Sequence, residues 1–194
     1  MTPLRDVRGF SLTELVMVIS LIAITAAMAV PLITGSSAQL ELSAAARQVE
    51  RELQSARMKA VRSNRVMRVR FNCPATGQYR AVEVLGTVAT PAADDADARA
   101  AARCSLANYP YPDPDPEFFA IPNNDGPLLQ LPTNVTFAAV QTIDFWPNGS
   151  AYAGGSLVPL PNEGITLRLH HEKLPASADR RITVNGLGKI TLVQ

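Results

Sequence analysis

The stretch Gly9-Phe10-Ser11-Leu12-Thr13-Glu14-Leu15-Val16-Met17-Val18-Ile19 opens an apolar run that continues to Ile33, and Glu14 is its only charge. After it no charged side chain appears until Glu41. A carboxylate at the centre of a bilayer costs roughly 2.5 to 3.5 kcal/mol, so its presence in such a run calls for a partner. Residues 10–33 have enough helical rise to cross a hydrocarbon core, which makes them a candidate transmembrane helix. Arg5 and Arg8 precede the run and the next basic residue is Arg47, so the charge asymmetry predicts a cytoplasmic N-terminus with the rest of the chain outside.

Beyond the polar break Thr34-Gly35-Ser36-Ser37, the residues Leu42, Ala46, Val49, Leu53, Ala56 and Ala60 recur at alternating spacings of four and three. That period predicts an amphipathic continuation of the helix over 34–62, with Arg47, Gln48, Glu50, Arg51, Gln54 and Arg57 mostly on the other side. A helix over residues 10–62 would measure about 80 Å. Pro31 withholds a backbone donor and, with Gly35, is expected to kink or loosen it.

Past Arg62 the period turns strand-like. Residues 66–71 alternate Val66, Arg68 and Arg70 against Met67, Val69 and Phe71, which predicts a half-exposed strand. A turn-rich link, Pro74-Ala75-Thr76-Gly77, predicts a hairpin with a strand over 78–85. Further strands are expected at 135–140, 142–146, 165–170, 181–184 and 189–193, the last two joined by the turn Asn185-Gly186-Leu187-Gly188. Between 86 and 134 the composition becomes acidic and Pro-rich, as in Pro110-Tyr111-Pro112-Asp113-Pro114-Asp115-Pro116. Proline cannot donate to a sheet ladder, so this reads as a long loop. The fold class is therefore α+β: a long N-terminal helix, half membrane and half amphipathic, packed on an antiparallel β-sheet domain over 63–194.

The N-terminal string resembles the prepilin leader of type IV pilins and type II secretion pseudopilins: a short basic leader ending in Gly, then Phe, three residues, Glu and a long apolar helix. The helix end, with Ala56, Arg57 and Ala60, resembles the GspH/FimT family of minor pilins. So do Phe145, Pro147 and Gly149 in a Phe-x-Pro-x-Gly pattern, and Gly188, Lys189 and Ile190 in a closing Gly-basic-apolar strand. The resemblance spans about residues 1–85 and 135–194 and leaves the acidic insert outside. It implies a leader over 1–9, cut between Gly9 and Phe10 by a membrane-embedded prepilin peptidase, and N-methylation of Phe10. It also implies a helix that waits in inner-membrane lipid before joining other pilin or pseudopilin subunits in a filament. Glu14, one helical turn after Phe10, would then pair with the Phe10 amine of a neighbouring subunit. The alternative reading is an ordinary signal peptide cut after Ala27-Met28-Ala29, releasing a periplasmic binding module; such a peptide has no need of Gly-Phe-x-x-x-Glu.

The remaining side chains point away from catalysis. No paired carboxylate, nucleophile-and-base set or phosphate-binding loop is recognisable, and the sequence calls for no cofactor and no metal. His170 and His171 are adjacent, so on a strand they face opposite ways and make a poor metal pair with Glu172. Trp146, the only tryptophan, suits a core or sheet-edge position. Cys73 and Cys104 are compatible with one disulfide in an oxidising compartment. Net charge is only +1, yet it is segregated: residues 47–80 hold nine Arg or Lys against two Glu, and residues 81–163 hold two Arg against ten acidic residues. Such alternation suits contacts between oppositely charged patches of neighbouring subunits, or simply solvated faces of one domain. Some members of the resembling family bind DNA in natural transformation; here Lys173, Arg180, Arg181 and Lys189 are the candidate phosphate contacts. The expected function is a non-enzymatic minor pilin or pseudopilin, with a DNA-binding pilin as an alternative.

Overall fold

The small-residue stripe lies on helix α1 (Leu12–Ser63), in a computed structural model that describes residues 11–84, 104 and 125–193, without the side chains of 28–34. The helical assignment runs through Pro31 and Gly35 and through the polar break at 34–37. By contact density the chain divides into two units, Met1–Ser37 and Ala38–Gln194.

In the first unit every described side chain from 11 to 27 is exposed, Leu12, Met17 and Leu21 among the most open. Among the described residues no helix is long and apolar enough to cross a membrane. Ser20 and Thr25 turn their hydroxyls back onto the carbonyls of Val16 and Leu21, at 2.8 and 3.0 Å. Each polar group is thereby satisfied within the helix itself.

In the second unit α1 buries Leu42, Ala45, Ala46, Val49, Leu53, Ala56 and Ala60. Alanine at four of these positions lets strands approach the helix closely, while Leu42 and Leu53 each contribute roughly 1.5 to 3 kcal/mol of burial. The helix stops at Ser63 because Asn64 adopts a left-handed φ of 54° and the Arg65 N–H returns to the Ala60 carbonyl at 3.3 Å, a Schellman-type end.

Among the described residues nine strands follow: β1 (Met67–Phe71), β2 (Gln78–Glu83), β3 (Leu129–Gln130), β4 (Val135–Ala139), β5 (Ile143–Phe145), β6 (Ala151–Ala153), β7 (Ile165–His171), β8 (Arg180–Val184) and β9 (Ile190–Val193). They form two sheets, ordered β3-β2-β1-β5-β6 and β4-β7-β8-β9. Every pairing is antiparallel. Both sheets share one core with α1, through Met67, Val69 and Ile143 of the first and Leu167, Leu169 and Ile182 of the second. An aromatic contact joins them, with Phe137 of β4 edge-on to Phe71 at 5.1 Å and to Tyr79 at 5.7 Å.

Three expectations need correction. The strand over 66–71 is not half-exposed: Arg68 is as fully buried as Met67 and Val69. The reason is a charge partner on the neighbouring strand, described below. The expected loop over 86–134 ends sooner, because Gly126 donates to the Ala81 carbonyl at 2.7 Å and β3 then joins the edge of the first sheet. Finally, β6 lies where the sequence predicts no strand, and it pairs with β5 through Phe145↔Ala151. Residues 86–103 and 105–124 of the acidic insert lie outside the described residues.

Candidate functional site

Gly9 and Phe10, the candidate processing residues, lie outside the described residues. Glu14 is described: it occupies the first turn of α1, where a carboxylate complements the helix dipole, and its side chain is exposed. Nothing else on this turn carries charge, and Ser11 and Thr13 bond to each other at 2.8 Å.

The three sequence patterns of the domain meet at Arg57. Its Nε donates to the Gly149 carbonyl at 2.9 Å, and its Nη2 donates to the Leu187 carbonyl at 3.3 Å. Gly149 (φ 82°) and Gly188 (φ 72°) both take left-handed backbone conformations. A Cβ on Gly188 would overlap the Gly149 carbonyl oxygen and come within 2.6 Å of Arg57 Nε. One guanidinium therefore clasps the helix to the turn after β5 and to the β8–β9 hairpin, and the two glycines are what admit it. Spacing alone did not show that Ala-Arg-x-x-Ala, Phe-x-Pro-x-Gly and Gly-Lys-Ile converge on one spot.

A second constellation is buried outright. Arg68 of β1 makes a two-pronged bond to Asp144 of β5, Nε to Oδ1 at 2.7 Å and Nη2 to Oδ2 at 2.8 Å, both side chains inaccessible to solvent. Asp144 Oδ2 also accepts the Gly155 N–H at 2.9 Å, so the carboxylate fixes the turn after β6 as well. An arginine at an alternating strand position reads as solvent-facing; the missed signal was the lone acid in Ile143-Asp144-Phe145.

On the second sheet, Asp179 accepts from Arg168 Nη2 at 2.6 Å and bonds His170 Nδ1 at 2.7 Å. Burial pushes the Asp179 carboxyl up, but the hydrogen bonds and charges of Arg168 and His170 outweigh it, and the group titrates below the ordinary aspartate value. His171 faces the opposite way, with Nε2 at 3.3 Å from Glu41 of α1. The Lys173 N–H donates to its Nδ1 at 3.1 Å, which makes that nitrogen an acceptor. Each histidine thus has its own separate partners, and among the described residues no group of His, Cys, Asp and Glu is arranged to hold a metal ion. Facing β2, Glu52 titrates above the ordinary glutamate value because burial disfavours its charge, an effect Lys59 partly offsets.

The four candidate phosphate contacts are not brought together. Arg180 points inward, its Nε on Ser43 Oγ at 3.2 Å, while Arg181 lies on the exposed face of the same strand. Lys189 stands beyond the Val184↔Ile190 pair, at the other end of β8 and about 13 Å away along the strand. Lys173 belongs to the turn after β7. Cys73 and Cys104 are joined by a disulfide. Trp146 is half-buried and stacks on Tyr152 with ring centroids 4.5 Å apart.

A helix whose first part is apolar and exposed, and whose later part is the packed spine of a two-sheet domain, defines a pilin-type filament subunit. The family model described as "Type II transport protein GspH" matches residues 45–188, and the one described as "Prokaryotic N-terminal methylation motif" matches residues 4–30. The chain belongs to the GspH family, whose members are structural minor pilins and pseudopilins. Among curated proteins none matches this sequence. Among solved structures, the type IV minor pilin FimU of Pseudomonas aeruginosa is similar in two crystal forms. One gives a TM-score of 0.47 at 17% identity over 79% of this chain and 89% of that chain. The other gives 0.44 at 16% identity over 78% and 92%.

Proposed function

We propose that this minor pilin or pseudopilin is made with a leader over residues 1–9, cut by a prepilin peptidase between Gly9 and Phe10, and held in the inner membrane by residues 10–33. The domain then lies on the periplasmic side, and Glu14 pairs with the Phe10 amine of the neighbouring subunit as the helix enters a filament. The observation that carries this reading is Glu14 itself, the sole charge between Phe10 and Ile33, standing on the first turn of a helix that begins at Leu12. Two opposite charges that are costly apart in lipid lose much of that cost when paired, and the pair sets the axial register between subunits. The exposed apolar surface at 11–27 supports the same reading, because a helix open and apolar on every side needs lipid or other helices around it.

The test is a Glu14→Gln chain expressed in the native host. It should be processed to a mature chain beginning at methylated Phe10, remain in the membrane fraction and be depleted from sheared filaments. Recovery in filaments at the wild-type level, or a mature chain that begins near Val30, would sink the proposal.

A further inference from the structure

An open groove of about 410 Å³ runs between α1 and the β8–β9 hairpin, lined by Gln54, Arg57, Met58, Leu187, Lys189 and Ile190. Its walls mix the apolar side chains of Met58, Leu187 and Ile190 with the polar ones of Gln54, Arg57 and Lys189, and Met58 is 64% and Leu187 73% exposed. Val61 continues the same helix face one turn on and is 49% exposed. Its charge is all of one sign. Among the described residues Arg57 bonds to the carbonyls of Gly149 and Leu187, which are neutral and leave its positive charge in place. Neither Arg57 nor Lys189 has an acidic partner among the described residues, and no carboxylate lines the groove. The groove also adjoins a strand edge, since among the described residues β9 is the last strand of its sheet and pairs only with β8.

We infer that this groove docks an extended segment of a protein partner that carries a carboxylate beside aliphatic side chains. The carboxylate sits between Arg57 and Lys189, where the guanidinium's remaining N–H groups and the ammonium supply charge-assisted bonds. The aliphatic side chains cover Met58, Leu187 and Ile190. The backbone of an extended segment lies along the free edge of β9, a recurrent way for sheets to recruit peptides. A nucleic acid fits less well, because two cations neutralise few phosphates and the lining offers no aromatic ring on which a base would stack. The inference rests on the filament reading only for the partner's being another subunit; the groove's chemistry stands on the domain alone.

The experiment uses the full chain in detergent and the fluorescent capped peptide acetyl-Thr-Ile-Thr-Asp-Thr-Ile-amide, whose Ile, Asp and Ile share one face when extended. Binding is read by anisotropy, and the site by the methyl resonance of Met58 in methionine-labelled protein. The expected result is a Met58 shift on titration, with binding weakened about tenfold or more when Asn replaces the peptide's Asp. Lys189→Glu, an exposed change that should leave the melting curve intact, is expected to weaken the acidic peptide equally and to favour a Lys-bearing one. Absence of binding, equal affinity for the Asp and Asn peptides, or a Met58 shift produced by short duplex DNA but not by the peptide would overturn the inference. Those outcomes leave the processing and assembly behaviour of Glu14 untouched, so the two readings fail separately.

Discussion

Gly188 packs against the carbonyl oxygen of Gly149 with no room for a side chain between them, and Arg57 bridges the two loops at the same point. Gly188→Ala must therefore move backbone or break the Arg57 bond, and it adds strain at a φ of 72°. A loss of roughly 2 to 4 kcal/mol is expected in chemical denaturation of the full chain in detergent. Gly35→Ala is the contrast, because a Cβ there meets nothing within 4 Å and the site is helical. It should be neutral or stabilising by up to about 1 kcal/mol.

The buried Arg68–Asp144 pair predicts unequal costs for single and double changes. Arg68→Met alone strands a buried carboxylate and should cost about 3 to 5 kcal/mol. Adding Asp144→Leu removes that charge and should recover much of the loss. Recovery stays incomplete, because the Gly155 N–H then loses its acceptor. A double-mutant cycle measured by urea unfolding checks both the sign and the shortfall.

Asp179 predicts a pH dependence. Its carboxyl titrates below the ordinary value in the folded chain, so the native state holds that proton less tightly than the unfolded one. The resulting stability is fully present above the unfolded value of about 4 and is lost as pH falls through the lower folded value. Asp179→Asn should flatten the melting temperature against pH in that acid range, and at neutral pH it should be less stable than the parent. An unchanged acid limb in the variant would contradict the assignment.

The disulfide closes a sequence separation of 31 residues. Replacing both cysteines by serine should lower stability by roughly 3 to 4 kcal/mol on the chain-entropy account. Reduction of the parent should reproduce most of that loss, and the double variant should not respond to reductant.

Much of this architecture was legible beforehand because it is written in periodicity. Leu42, Ala46, Val49, Leu53, Ala56 and Ala60 follow the helical repeat, and all six are buried. The β8–β9 hairpin follows from two apolar runs around a glycine-bearing turn. What could not be read was anything set by a distant partner. Arg68 looks outward until Asp144 is placed beside it, and the three-residue strand β6 exists only because β5 provides its ladder. Spacing identified Gly149 and Gly188 as family positions but gave no reason for glycine there; the reason is a contact across 39 positions that only folding creates. The basic residues 180 and 181 look like a pair in sequence and are parted by the strand's own alternation.

The acidic insert begins after β2 and ends before β3, and those two strands are neighbours in one sheet. Glu83 N–H on Asp125 Oδ1 at 2.6 Å and Gly126 N–H on the Ala81 carbonyl at 2.7 Å staple the exit to the re-entry. The segment between is thus anchored at this doorway and, through Cys104, at Cys73, and doubling the length of a loop costs only about 0.6 kcal/mol of closure entropy. The doorway is a port for insertion: an epitope or fluorophore placed between Glu83 and Asp125, with Cys104 kept, should leave the helix, both sheets and the Arg57 clasp as they are.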